Sequence, residues 1–238
     1  MHEEGGFDDK ATAAGISKIG KFLTTLSSAP LVVNKDLQIT MLSDVWFEAA
    51  RRARFDIATV IAVRQPQETI GSWSPHARIS PELASALWLK YNLAAERHTR
   101  GVPRVFVECA NVLEDWRRET KRISAALMID LDTEDEDAIE EFLTPDLRHQ
   151  RHRGPVSEFL GTDSTSAVYE ALSAAARDEP WDRAGLDRVF EMYRASEYGF
   201  RTAFEDYRSL DNRLSLRQYA ISLVRVARMV RSRVASLM

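Results

Sequence analysis

The sequence predicts an α/β fold, a parallel sheet flanked by helices with an all-helical C-terminal extension. Short apolar, β-branched runs alternate with helix-period segments through the first two-thirds of the chain, the pattern of a parallel sheet with crossover helices. The strongest of these runs, Ile57–Val63, is apolar without a break, as expected of a strand covered on both faces. After Ser164 the strand signals stop, and serine, alanine, arginine and aromatic residues recur at helical spacing to Met238. The predicted division is an α/β core over 1–155 and a helical extension over 156–238.

Taken in order, residues 1–10 are polar and glycine-containing, a loose beginning. Ile16, Ile19, Phe22, Leu23 and Leu26 predict a helix over Ala11–Leu26, which Pro30 closes off. Leu31–Val33 reads as a short buried strand, with Asn34-Lys35-Asp36 as the loop after it. Leu42–Ala53 reads as a helix with Leu42, Val45, Trp46 and Ala49 on one face, and the Ile57–Val63 strand follows. Pro66 marks a loop, and a short helical stretch starts at Glu68. Ser80-Pro81-Glu82 opens a long helix to Arg97, with Ser80 as cap and Pro81 in the first turn. Gly101 lies just past its end, Arg104–Val107 reads as a strand, and Val112–Leu127 as a helix. The acidic run Asp130–Glu136 opens a helix to Phe142, and Arg148–Gly154 is a basic loop. The last third reads as two or three helices, broken near Pro180 and Asp211.

Composition narrows the classes. Lysine and arginine number 32 against 36 aspartates and glutamates, a net charge of −4 that is not the balance of a general nucleic-acid binder. A single cysteine, Cys109, excludes an intramolecular disulfide and any four-cysteine zinc site, and fits a reducing cytoplasm. No stretch reaches the ~18 uncharged apolar residues of a membrane span. The acidic first ten residues lack the basic and apolar regions of a signal peptide.

The most distinctive stretch runs from Ser80 to His152. It contains Ala-Leu-Trp-Leu-Lys-Tyr-Asn-Leu-Ala-Ala-Glu-Arg (Ala86–Arg97), Thr-Arg-Gly-Val-Pro-Arg-Val-Phe-Val (Thr99–Val107), Leu-Glu-Asp-Trp-Arg (Leu113–Arg117) and Glu-Glu-Phe-Leu-Thr-Pro-Asp-Leu-Arg-His-Gln-Arg-His (Glu140–His152). With Leu31–Asp36 and Val60–Ser72 upstream, in the same order, it resembles the bacterial sulfotransferase-family proteins associated with polysaccharide assembly. The resemblance covers about residues 5–155. It implies a P-loop-type α/β fold that binds 3′-phosphoadenosine 5′-phosphosulfate (PAPS) and transfers its sulfuryl group to a hydroxyl, commonly on a saccharide.

The family's sites can be matched one at a time. Its phosphosulfate loop, a glycine- and serine/threonine-rich turn between the first strand and a helix, has no counterpart in Met1–Gly6. Gly5-Gly6-Phe7-Asp8-Asp9 instead resembles a segment that lies after the loop, so the chain is expected to start about forty residues late. Where the family often has Lys-Asp-Pro-Arg, this chain has Lys35-Asp36-Leu37-Gln38. The resemblance makes Lys35 the catalytic residue that offsets charge on the bridging oxygen; on its own it reads as a solvated loop lysine. The family's 3′-phosphate clamp is an arginine at a strand end and a serine eight positions on, here Arg64 and Ser72. Taken alone, the pair reads as an exposed arginine and a helix cap. Cys109 stands where an adenine-stacking tyrosine is expected, and on its own reads as a small buried hydrophobe. Arg153-Gly154 resembles a late 3′-phosphate contact, and reads equally as a cationic helix end.

Other groupings carry less. His149 and His152 lack a third metal ligand and sit among arginines. The acidic run at Asp130–Asp137 lacks the glycine of a calcium loop and suits a helix start. His76 lies near the Arg64–Ser72 segment, but Pro75 and Pro81 place it in a loop. Leu214–Leu237 is amphipathic and basic, either an ordinary packing helix or a pairing surface for homo- or hetero-oligomers. Two functions therefore stand. One is a PAPS-dependent sulfotransferase with a saccharide acceptor. The other is a non-catalytic relative acting as a binding or assembly module through its C-terminal helices.

Overall fold

The computed structural model describes residues 9–26, 29–77, 79–131, 136–143 and 164–199, with side chains left out of the description over 73–77. The chain divides into two compact units, 1–190 and 191–238. In order, the elements are α1 (Asp9–Thr24), α2 (Leu37–Met41), α3 (Ser43–Arg52), β1 (Thr59–Val63), α4 (Pro66–Ala77), α5 (Pro81–His98), β2 (Arg104–Glu108), α6 (Cys109–Leu127), α7 (Glu136–Phe142) and α8 (Ser164–Ala176). A further helix, α9, runs over 183–199. The fold is α/β and mostly helical. Its sheet, among the described residues, is the parallel pair β1–β2, in register from Thr59↔Arg104 to Val63↔Glu108.

Parallel neighbours cannot be joined by a hairpin, so α4 and α5 form the crossover between them. α5 starts where the sequence predicts. Ser80 is extended (φ −69°, ψ 154°), its hydroxyl accepts from the Leu83 N–H at 3.2 Å, and Pro81 occupies the first turn. The helix buries Ala84, Ala86, Trp88, Leu89, Leu93 and Ala94. On β2, Val105 to Glu108 are all buried, with α6 and α8 packed against the strand. The Phe106 ring also meets Trp181 edge-on at 5.9 Å.

Several elements differ from expectation. β1 begins at Thr59 and is covered on one face only, with Ile61 and Val63 buried while Val60 is 52% exposed. Its unbroken apolar sequence fits either arrangement, and the exposure of Val60 and Ala62 leaves the second face open. Leu31–Val33, expected as a buried strand, belongs to no strand among the described residues, and Leu31 and Val33 are exposed. The loop Asn34–Asp36 is as expected, and the short helix α2 that follows it was not foreseen; Asp36 accepts from the Gln38 N–H at 2.7 Å and caps it. α4 begins at Pro66 and runs through Pro75, where a loop was expected. α6 begins at Cys109 directly after β2 and breaks at Asp115 (φ −153°, ψ 84°), whose carboxylate accepts from the Arg118 N–H at 3.0 Å and caps the second half. The expected basic loop Arg148–Gly154 and the helix Leu214–Leu237 lie outside the described residues.

Two buried carboxylates tie the helices to the sheet. Glu96 on α5 is 1% exposed and accepts from Arg100 (Nη2 at 2.6 Å) and Arg104 (Nη2 at 3.2 Å). Arg100 also pairs with Asp187 of α9 at 2.7 Å. The hydrogen bond to Glu96 holds the Arg100 guanidinium above its ordinary range, while the bond from Arg100 holds the Asp187 carboxyl below its own. Glu119 on α6 is 3% exposed and pairs with Arg122 at 2.8 Å. Arg122 donates in turn to the Phe106 carbonyl on β2 and to Asp178 after α8.

Removing one partner of a buried pair strands the other charge away from water, a loss of about 3–5 kcal/mol. Glu96→Ala is therefore expected to lower unfolding stability in urea by about that amount. Glu48→Ala, which removes the exposed partner of Arg52, should leave the midpoint unchanged. Equal midpoints for the two variants would show that the Glu96 cluster does not hold the fold.

Candidate functional site

In a parallel sheet ligands approach the carboxyl ends of the strands, where loops leave for the crossover helices. Arg64 and Cys109 occupy those two positions, each one residue past its strand. Arg64 is held three ways. Its peptide follows Val63, paired with Glu108 across the sheet. Its carbonyl accepts from the indole Nε1–H of Trp88, a buried side chain on α5, at 3.2 Å. Its Nε–H donates to Glu68 Oε2 on α4 at 3.1 Å. The two terminal nitrogens have no hydrogen-bond or ion-pair partner among the described residues.

Arg64 and Lys35 line one open cleft of about 1730 Å³ beside the uncovered face of β1, with Val60 and Ala62 as part of its floor. Two of the residues singled out from sequence thus line the same cleft. Ser72 sits one turn beyond Glu68 on α4, half-buried, and is not among the residues that line the cleft. Arg153 and Gly154 lie outside the described residues, as does the side chain of His76. Among the described residues the cleft wall is balanced in charge, with Lys35, Arg54 and Arg64 against Asp36, Asp56 and Asp130. Such a wall gives little long-range attraction for an anion, so recognition of one here depends on direct contact with a positioned cation.

No family model, curated protein or solved structure matches the chain. Among the described residues no helix is long and apolar enough to cross a membrane, and no cluster of three or more histidine, cysteine or acidic side chains is placed to hold a metal ion.

The strand ends carry two further groups. Glu108, the last residue of β2, is buried and accepts a short hydrogen bond from the Tyr169 hydroxyl on α8. Burial, reinforced by this bond, pushes the Tyr169 phenol up to about 12. Burial also pushes the Cys109 thiol up, partly opposed by the Arg64 charge, so the cysteine is held as the unreactive thiol. Three partners escaped the sequence reading. Glu68 carried a usable signal, since an acid four residues after an arginine can pair with it on a helix. Trp88 and Tyr169 did not, because their bonds span 24 and 61 residues.

Tyr169 makes stability pH-dependent in the alkaline range. Its pKa rises on folding from 10.0 to about 12, so the folded chain keeps a proton that the unfolded chain gives up. The associated stability is complete below pH 10 and is lost as the pH climbs towards 12. Tyr169→Phe is expected to flatten the fall in urea stability over that window. An unchanged alkaline slope would show that the phenol titrates normally.

Proposed function

We propose that this chain is a sulfotransferase-like protein of P-loop-type ancestry. It takes the 3′-phosphate end of PAPS at the carboxyl end of β1 and serves sulfuryl transfer to a hydroxyl of a saccharide or related acceptor. The observation that carries the reading is Arg64, fixed at a strand end by Trp88 and Glu68, its terminal nitrogens at a cleft and without a partner among the described residues. A planar guanidinium presented this way suits a phosphate, which accepts two parallel N–H bonds. The role of Ser72 is to add a hydroxyl donor from α4, which requires it to give up the partner it now has. Lys35, on the same cleft, offsets charge on the oxygen that leaves with the nucleotide. Arg153 and Gly154 belong to the reading as late phosphate contacts. A cytoplasmic setting follows from the single free cysteine and from the donor.

The fit is better at one end of the donor than at the other. Among the described residues no glycine-rich turn leads from a strand into a helix to cradle the 5′-phosphosulfate. Cys109 supplies no ring for the adenine to stack on. These two features favour a second reading, a non-catalytic relative that keeps the phosphate contact for binding and uses its C-terminal helices for assembly.

Calorimetric titration with adenosine 3′,5′-bisphosphate separates the outcomes. The wild-type chain is expected to bind, and Arg64→Ala to weaken binding about tenfold to a hundredfold, since a charged hydrogen bond contributes ~1.5–3 kcal/mol. Binding together with transfer of labelled sulfate to saccharides establishes the enzyme. Binding without transfer establishes the non-catalytic relative. No binding at millimolar ligand overturns both forms of the proposal.

A further inference from the structure

Arginine is a good phosphate ligand only if the correct edge of its guanidinium faces the anion. A long side chain with several rotors presents that edge a small fraction of the time unless something holds it. At Arg64 the holding group is visible. Glu68 takes the Nε–H at 3.1 Å, which uses the inner edge of the guanidinium and leaves the outer pair of terminal nitrogens without a partner among the described residues. The Trp88 indole fixes the carbonyl of the same residue, so the backbone from which the side chain springs is also set. Glu68 is itself placed by sequence. It lies in the first turn of α4, where a carboxylate is favoured by the helix dipole, four residues after Arg64.

We propose that Glu68 is a positioning residue for anion capture, orienting Arg64 so that its terminal nitrogens meet a phosphate or other tetrahedral oxyanion in the cleft. The inference rests on the phosphate-binding reading above and names the residue that makes Arg64 competent. Its cost is a negative charge near the bound anion. Both side chains are partly exposed, 36% for Arg64 and 30% for Glu68, so water and salt screen that repulsion while the orientation is kept. The opposite role is equally definite in its consequences: a Glu68 that merely neutralised Arg64 would compete with the anion, and its removal would tighten binding.

The test uses the full chain and two probes, adenosine 3′,5′-bisphosphate and inorganic pyrophosphate, with Glu68→Ala and Glu68→Gln. Glutamine retains an oxygen that can accept the Arg64 Nε–H, whereas alanine does not. Orientation predicts that Glu68→Ala weakens binding about tenfold, while Glu68→Gln stays within about threefold of wild type. Urea midpoints should be unchanged in both, which a purely structural role would not allow. Binding by Glu68→Ala that equals or exceeds wild type overturns the proposal, as does a glutamine variant as weak as the alanine one. If the wild-type chain takes pyrophosphate but not the bisphosphate, the PAPS reading fails and Glu68 is judged on pyrophosphate alone. If it takes neither, both fail.

Discussion

Glu96 is 1% exposed, and a carboxylate so far from water is tolerated only with cations bonded to it. Arg100 comes from the turn after α5 and Arg104 from the first residue of β2. Meeting Glu96 therefore fixes how the crossover re-enters the sheet. Asp187 then takes the other side of Arg100, and Arg97 reaches the same carboxylate at 3.3 Å. The start of α9 is thereby bound to the end of α5. One charge that cannot be left unpaired thus sets the placement of a helix, a strand and a second helix. Hydrophobic burial alone, being non-directional, does not specify such a register.

The same helix joins this cluster to the site. α5 runs from Ser80 at its cap to His98, and Trp88 and Glu96 lie two turns apart along it. Trp88 reaches the carbonyl of Arg64, and Glu96 holds Arg104, the residue in register with Thr59 at the other end of β1. Both ends of the strand pair are thus referred to one rigid element. A two-stranded sheet has little stability of its own, so the position of Arg64 derives from α5 more than from the sheet. This explains why the site residue following a five-residue strand can still be fixed in place.

Much of this was legible in the sequence where the signal is local. The Ser80-Pro81 cap, the helical spacing along α5 and the β-branched runs of β1 and β2 are satisfied by neighbours in the chain, and they appear where expected. Arg54, Met128 and Asp178 follow helices in the left-handed conformation (φ 63°, 54° and 57°), a place usually marked by glycine, yet α3 and α6 end beside the expected Ala53 and at the expected Leu127. The failures are also physical. Asp115 interrupts α6 by capping its second half, and a lone aspartate in a helical pattern does not announce that role. Leu31–Val33 has strand composition but no neighbour to pair with among the described residues, and composition cannot supply one. Arg64 was singled out by the family resemblance, and the apolar run before it marks the strand end locally. Its dependence on Trp88 was invisible because 24 residues and a crossover intervene.

The uncovered face of β1 follows from the same arrangement. β2 receives both α6 and α8 and is buried along nearly its whole length. β1 shares only part of that cover, so Val60 and Ala62 turn towards the cleft. A fully covered β1 would bury more apolar surface, and at ~25 cal/mol per Å² that gain is real. It would also close the space beside the strand that leads to Arg64. Fixed charge pairing therefore sits in Glu96, Glu119 and their arginines, and openness beside β1. A phosphate could be met there by a fixed cation without first having to order it, because the entropy of holding Arg64 has already been spent in folding.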